Sequence, residues 1–114
     1  MALPAPRSHE KRRHPRVRVQ YRSHFSSKNR MVAGDGDLQD LSQAGCRIKS
    51  QVTAPAGSEL ELCVFVDGDE NPLVIDVASV RWVRSDEFGL SFTQVRPPVQ
   101  RRITDLCRKL APLD

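Results

Sequence analysis

From Val17 onward apolar and polar side chains alternate. Val17, Val19, Tyr21, Ser23 and Phe25 interleave with Arg18, Gln20, Arg22 and His24, the period of two that turns one face of a strand toward a core. A polar stretch rich in Gly and Asp, residues 34–37, follows, and Asp40 to Gly45 reads as a tight turn leading into Cys46 to Lys49, again alternating, so that a strand on each side of the turn makes a strand-turn-strand unit. Pro55-Ala56-Gly57-Ser58 is a turn by its composition, and Leu60, Leu62, Val64 and Val66 then alternate with Glu61, Cys63 and Phe65. An Asp-Gly hairpin signal at Asp67-Gly68 precedes the run from Leu73 to Val83, and Ser85-Asp86-Glu87 turns the chain into a last strand, Phe88 to Val95. Six short strands with no helix between them predict an all-β fold, an antiparallel barrel or sandwich.

After Pro97-Pro98 the period changes. Val99, Ile103, Leu106 and Leu110 recur at steps of four, three and four, with Arg101, Arg102, Arg108 and Lys109 on other faces. This predicts a C-terminal amphipathic helix over 97–110. Its stripe is suited to closing an open barrel end; a dimerisation helix is the rival reading. Residues 1–10 offer little to bury and read as a flexible leader ahead of one domain, 11–114, made of a basic arm (11–16), a barrel (17–95) and the helix.

The 114 residues suit a single domain, and no run approaches the roughly 20 apolar residues of a membrane span. The N-terminus lacks the apolar centre of a secretory signal, which points to the cytoplasm. Cys46, Cys63 and Cys107 are odd in number and widely spaced, and the three histidines show no ligand spacing, so reduced thiols and no metal are expected. Charge is uneven: the first thirty residues carry nine bases and one acid, the remaining 84 nine bases and thirteen acids. Such asymmetry calls for an anionic partner at the N-terminal end.

Two pieces of sequence fit that partner. Arg12-Arg13-His14-Pro15-Arg16 stands just before the first strand, and Asp40-Leu41-Ser42-Gln43-Ala44-Gly45 stands at a strand junction. Arginine presents a planar fork of donors that matches phosphate oxygens and the O6/N7 edge of guanine, and it also stacks on bases. A carboxylate such as Asp40 accepts from guanine N–H groups, the Ser42 hydroxyl and the turn's amides donate to phosphate, and Gly45 permits close approach or a positive φ. No catalytic triad, phosphate loop or framed carboxylate pair occurs, so no enzyme is expected. A nucleic-acid-binding barrel is disfavoured because most of the six aromatics occupy inward positions and leave no stacking platform. Trp82 reads as a core or rim residue, with stacking on a ligand as the lesser alternative, and Cys46 as a small strand residue.

In order and setting the two pieces resemble the PilZ domain family, whose Arg-x-x-x-Arg and (Asp/Asn)-x-Ser-x-x-Gly motifs match Arg12, Arg16, Asp40, Ser42 and Gly45. Val80-Arg81-Trp82-Val83 and Phe88 to Phe92 look like that family's fifth and sixth strands. The resemblance implies a six-stranded antiparallel β-barrel with a C-terminal α-helix and a bacterial receptor for cyclic di-GMP. It also implies that the two arginines grip phosphate and guanine while Asp40, Ser42 and Gly45 line the other side, with no cofactor and a downstream protein effector. Arg13 is added as an auxiliary contact by charge, and Lys11, just before the motif, as a residue that bears on whether one or two nucleotides are held. The alternative is a PilZ-like protein-interaction adaptor that binds no nucleotide.

Overall fold

The alternation that starts at Val17 builds β1 (Val17–Ser27), whose Val17, Ser23 and Phe25 face inward and are buried. The computed structural model describes residues 15–110. After β1 come β2 (Ala33–Leu41), β3 (Gly45–Lys49), β4 (Glu59–Phe65), β5 (Leu73–Arg84), β6 (Glu87–Gln94) and one helix, α1 (Pro97–Lys109). Every strand pairing is antiparallel, and the order β1-β2-β3-β6-β5-β4 closes into a barrel. Closure removes the free sheet edges on which other chains could pair.

The core is filled from every strand. Phe25 and Phe88 meet edge to face at its centre, ring centroids 5.2 Å apart and planes at 81°, a geometry that sets a ring's positive edge against the other's negative face. Leu38, Ile48, Leu62, Ile75 and Val80 surround them. Of the six aromatics, Phe25 and Phe88 are fully buried and Tyr21 and Phe92 pack half-buried against the core, as expected of inward positions, while Trp82 is half-buried away from it and Phe65 is exposed.

The Gly/Asp stretch 34–37 belongs to β2. Its period of two is intact, but glycine stands at the inward positions. A Cβ on Gly36 would lie 2.6 Å from Ile48 Cγ2, and one on Gly34 2.9 Å from Val52 Cβ. The strand runs so close to its neighbours that no inward side chain fits, and Asp35 and Asp37 point outward opposite His24 and Arg22. Asp40 and Leu41 also lie in β2, which shortens the turn to residues 42–44. At the other boundaries, Val66 is buried just beyond β4, and Val95 and Leu110 fall just outside β6 and α1.

Helix α1 begins with Pro97 and Pro98 at its first two positions, where proline's fixed φ suits the helix and its missing N–H costs nothing. Ile103 enters the core, and Val99, Leu106, Cys107 and Leu110 pack around it. The expected apolar stripe thus lies against the barrel. Polar ties complete the seat: Arg96 Nε donates to Asp76 at 3.0 Å, and Arg102 donates to the Asn71 and Pro72 carbonyls and to Asp69. No helix among the described residues is long and apolar enough to cross a membrane.

The three cysteines are free. Burial, then the charge of Asp40, pushes the Cys46 thiol far above its usual range, with Arg16 opposing. A thiol reacts as its thiolate, so alkylation of the native protein is expected to reach Cys63 and Cys107 and spare Cys46 until denaturant is added. Mass spectrometry of labelled peptides reads this, and equal labelling of Cys46 and Cys63 would mean that the barrel opens locally.

Candidate functional site

At the junction of β2 and β3 the chain reverses in three residues, and Ser42 makes this possible. Its Oγ accepts from the backbone N–H groups of Ala44 and Gly45, each at 3.1 Å, while its own N–H donates to the Gly45 carbonyl at 2.8 Å. Ser42 is buried; its hydroxyl stands in for a backbone acceptor and fixes the turn. The turn is also tied to its surroundings. Phe92 N–H donates to the Ala44 carbonyl at 2.8 Å, and Gln100 of α1 donates to the Gln43 carbonyl at 3.2 Å.

Gly45 starts β3 opposite Ser91 of β6. A Cβ there would stand 2.3 Å from the Leu90 carbonyl oxygen. Of the two reasons offered for glycine, close approach is the operative one; the left-handed glycines of the described chain are Gly57 and Gly68.

Asp40 sits opposite Arg18 of β1 and Arg47 of β3. A bulge between Leu38 and Asp40 shifts the phase, so that Leu38 and Leu41 both face the core while Asp40 points outward. It is nevertheless covered, its side chain only 6% exposed, because two arginines lie on it. Arg16 Nη1 approaches its two oxygens at 3.3 and 3.5 Å, and Arg47 Nε donates to Oδ2 at 3.1 Å. Arg47 Nη1 reaches on to Glu87 Oε1 at 3.3 Å. Burial works to lower the Arg47 pKa, but the hydrogen bonds and charges of Asp40 and Glu87 outweigh it and hold the guanidinium more firmly protonated than usual. The result is a chain of alternating charge, Arg16-Asp40-Arg47-Glu87, laid across four consecutive segments of the barrel wall.

Beside this chain opens a cleft of about 330 Å³. Arg16, Ser42 and Gly45 line one side, and Arg81, Trp82 and Ser91 the other. Trp82 stands opposite Gly89, over which its indole lies: a Cβ on Gly89 would be 2.2 Å from the indole Nε1. A bulge between Val80 and Trp82 lets the adjacent residues Arg81 and Trp82 both reach the cleft, a common use of bulges beside binding sites. Arg84 places its guanidinium 5.6 Å from the Trp82 ring centre, within cation–π range.

Of the six site residues expected from sequence, Arg16, Ser42 and Gly45 share the cleft, Asp40 lies beneath Arg16, and Arg12 and Arg13 fall outside the described residues, as does Lys11. Arg47, Glu87 and Arg81 were missed, and Trp82 reaches the cleft, where the lesser of its two readings had it. Arg47 was legible: with four residues, 42–45, between Leu41 and its partner Cys46, Asp40 falls beside Arg47. The cleft joins two cationic forks, an aromatic face and a tight turn, with no carboxylate among the described residues that line it. That combination is chemically suited to an anionic ligand bearing a planar group.

Comparison with curated proteins finds no match. Among solved structures, the PilZ domain of CeSA from a cellulose-synthesizing bacterium superposes with a TM-score of 0.66 at 14% identity, over 82% of this chain and 95% of that one. The PilZ domain of YcgR from Escherichia coli, solved with c-di-GMP, gives a TM-score of 0.69 at 16% identity over 88% and 91% of the two chains. YcgR in complex with c-di-GMP, also from Escherichia coli, gives 0.68 at 18% identity over 87% of this chain; the match spans 45% of that protein's length. Identities this low show a shared fold, the six-stranded antiparallel barrel with its C-terminal helix. The family model for the PilZ domain matches residues 10–109, and this chain belongs to the PilZ domain family.

Proposed function

We propose that the chain is a bacterial, cytoplasmic receptor for cyclic di-GMP that takes the nucleotide in the cleft between Arg16 and Trp82 and passes the event to a protein partner. The observation that carries the reading is the meeting of Arg16, the Ser42–Gly45 turn, Arg81 and Trp82 around one cleft, in a family that includes a PilZ domain solved with c-di-GMP. Arg16, joined by Arg12 and Arg13, grips phosphate and the guanine edge; Trp82 stacks on a base; the turn supplies a rigid wall. A ligand with two phosphates neutralises the like charges of the arm and gathers them on the barrel, which changes the surface there. A route onward exists through the Gln100–Gln43 hydrogen bond, which ties α1 to the turn.

The test is calorimetric titration of the purified protein with cyclic di-GMP, with GTP and cyclic di-AMP as controls. Selective binding with a micromolar constant, about 8 kcal/mol in total, and a change in the fluorescence of Trp82, the only tryptophan, are expected. No binding by the folded protein would favour an adaptor that works through protein contacts alone.

A further inference from the structure

Arg16 has two duties that conflict. It covers Asp40 in the structure, and on the receptor reading it must turn to the nucleotide. Every charged or titratable group that faces Asp40 bears on what happens to the carboxylate when Arg16 leaves. Among the described residues they are Arg16 from the segment before β1, Arg18 at the paired position of β1, Cys46 and Arg47 of β3, and Glu87 of β6 through Arg47.

The two cations that touch Asp40 hold it unequally. Arg16 is 53% exposed, and its contacts of 3.3 and 3.5 Å exceed the usual 2.7–3.2 Å range of N–H···O bonds. Arg47 is 33% exposed, lies within that range at 3.1 Å, and is braced on its far side by Glu87. Arg16 is the partner that can be spared. A carboxylate 6% exposed cannot be left with no cation at all, because breaking a buried pair on one side strands an uncompensated charge.

We infer that Arg47, braced by Glu87, is a positioning residue for nucleotide binding: it keeps Asp40 paired so that Arg16 can transfer from Asp40 to the ligand. The inference rests on the receptor reading above and assigns Arg47 no contact with the nucleotide. Without Arg47, Asp40 holds Arg16 more tightly in the free protein and is left bare in the complex.

The experiment is calorimetric titration of the full chain with cyclic di-GMP. Wild type, Arg47→Gln, Asp40→Asn and the Arg47→Gln/Asp40→Asn double variant are compared, with thermal melts to confirm folding. Arg47→Gln is expected to bind about tenfold or more weakly than wild type. In the Asp40→Asn background the Arg47→Gln change should cost little, since there is no carboxylate to strand; this non-additivity reads the coupling even if Arg47→Gln alone folds poorly. A loss undiminished in the Asp40→Asn background would overturn the inference and leave Arg47 as an ordinary positive charge near the site. Unaltered binding by Arg47→Gln overturns it too. Absence of binding by the wild type is a different result, which removes the receptor reading and this inference with it.

Discussion

Arg16→Ala is expected to weaken cyclic di-GMP binding by about 100-fold or more while the barrel stays folded. A charge-assisted hydrogen bond contributes about 1.5–3 kcal/mol, and a guanidinium fork on phosphate or guanine makes two. At about 1.4 kcal/mol per factor of ten, two such bonds cover most of the measurable range of a micromolar ligand. The fold should tolerate the loss. Arg16 is 53% exposed, Asp40 keeps Arg47 at 3.1 Å, and half-exposed ion pairs contribute about 1 kcal/mol or less. Calorimetry and a thermal melt on the same preparation decide the matter. A melting point lowered by more than about 10 °C, beyond what 1 kcal/mol explains in a domain of this size, would make Arg16 a structural residue whose loss removes binding indirectly.

That separation between site and scaffold explains what the sequence displays and what it hides. Strands β1, β4 and β6 are visible because large apolar residues occupy their inward positions, as with Leu60, Leu62 and Val64. Strand β2 keeps the same period but carries Gly34 and Gly36 inward, and a hydrophobicity pattern registers glycine as a gap. The cause is tertiary: the crowding of Ile48, Ser50 and Val52 around those positions exists only once the barrel has closed. Bulges are hidden for the same reason. The phase shift between Leu38 and Asp40 turns a carboxylate outward between two buried leucines, and no local preference marks where it falls.

The site divides similarly. Arg16, Ser42 and Gly45 announce themselves because each belongs to a short run with a local meaning: a basic cluster, a serine-capped turn, a glycine at a strand start. Arg81 and Trp82 lie far from those runs in sequence and reach the cleft only through the pairing of β5 with β6. Asp40 is the instructive case. Its sequence suggests a group that faces the ligand; the structure makes it the buried anchor of Arg16 and Arg47. A carboxylate in a basic setting is as readily an organiser of cations as an acceptor for a base, and only its burial tells the two apart.

The same distinction governs Gly45, where a change of one methyl group is expected to have the largest effect on stability. In Gly45→Ala the new Cβ would stand 2.3 Å from the Leu90 carbonyl oxygen, 3.4 Å from the Leu90 carbonyl carbon and 3.5 Å from Ser91 Cα. All three are main-chain atoms of β6, paired in register with β3, so no side chain can swing away to make room. Relief requires β3 to draw back. Because β3 has five residues and its first is also bonded to Ser42 through both its N–H and its carbonyl, the retreat strains the ladder and the turn together. Overpacking costs about 1–3 kcal/mol and a lost ladder bond about 1 kcal/mol more, so a loss near 3 kcal/mol and a melting point lower by more than about 10 °C are expected. Gly57→Ala is the control: its φ of +94° disfavours alanine, but nothing lies within 4 Å of the added methyl, and the cost should stay near 1 kcal/mol. If Gly45→Ala melts no lower than Gly57→Ala yet loses cyclic di-GMP binding, the glycine serves the ligand's approach directly. If it melts far lower and binding falls in step with the folded fraction, the motif's glycine acts by holding β3 against β6, and the cleft inherits its shape from the barrel.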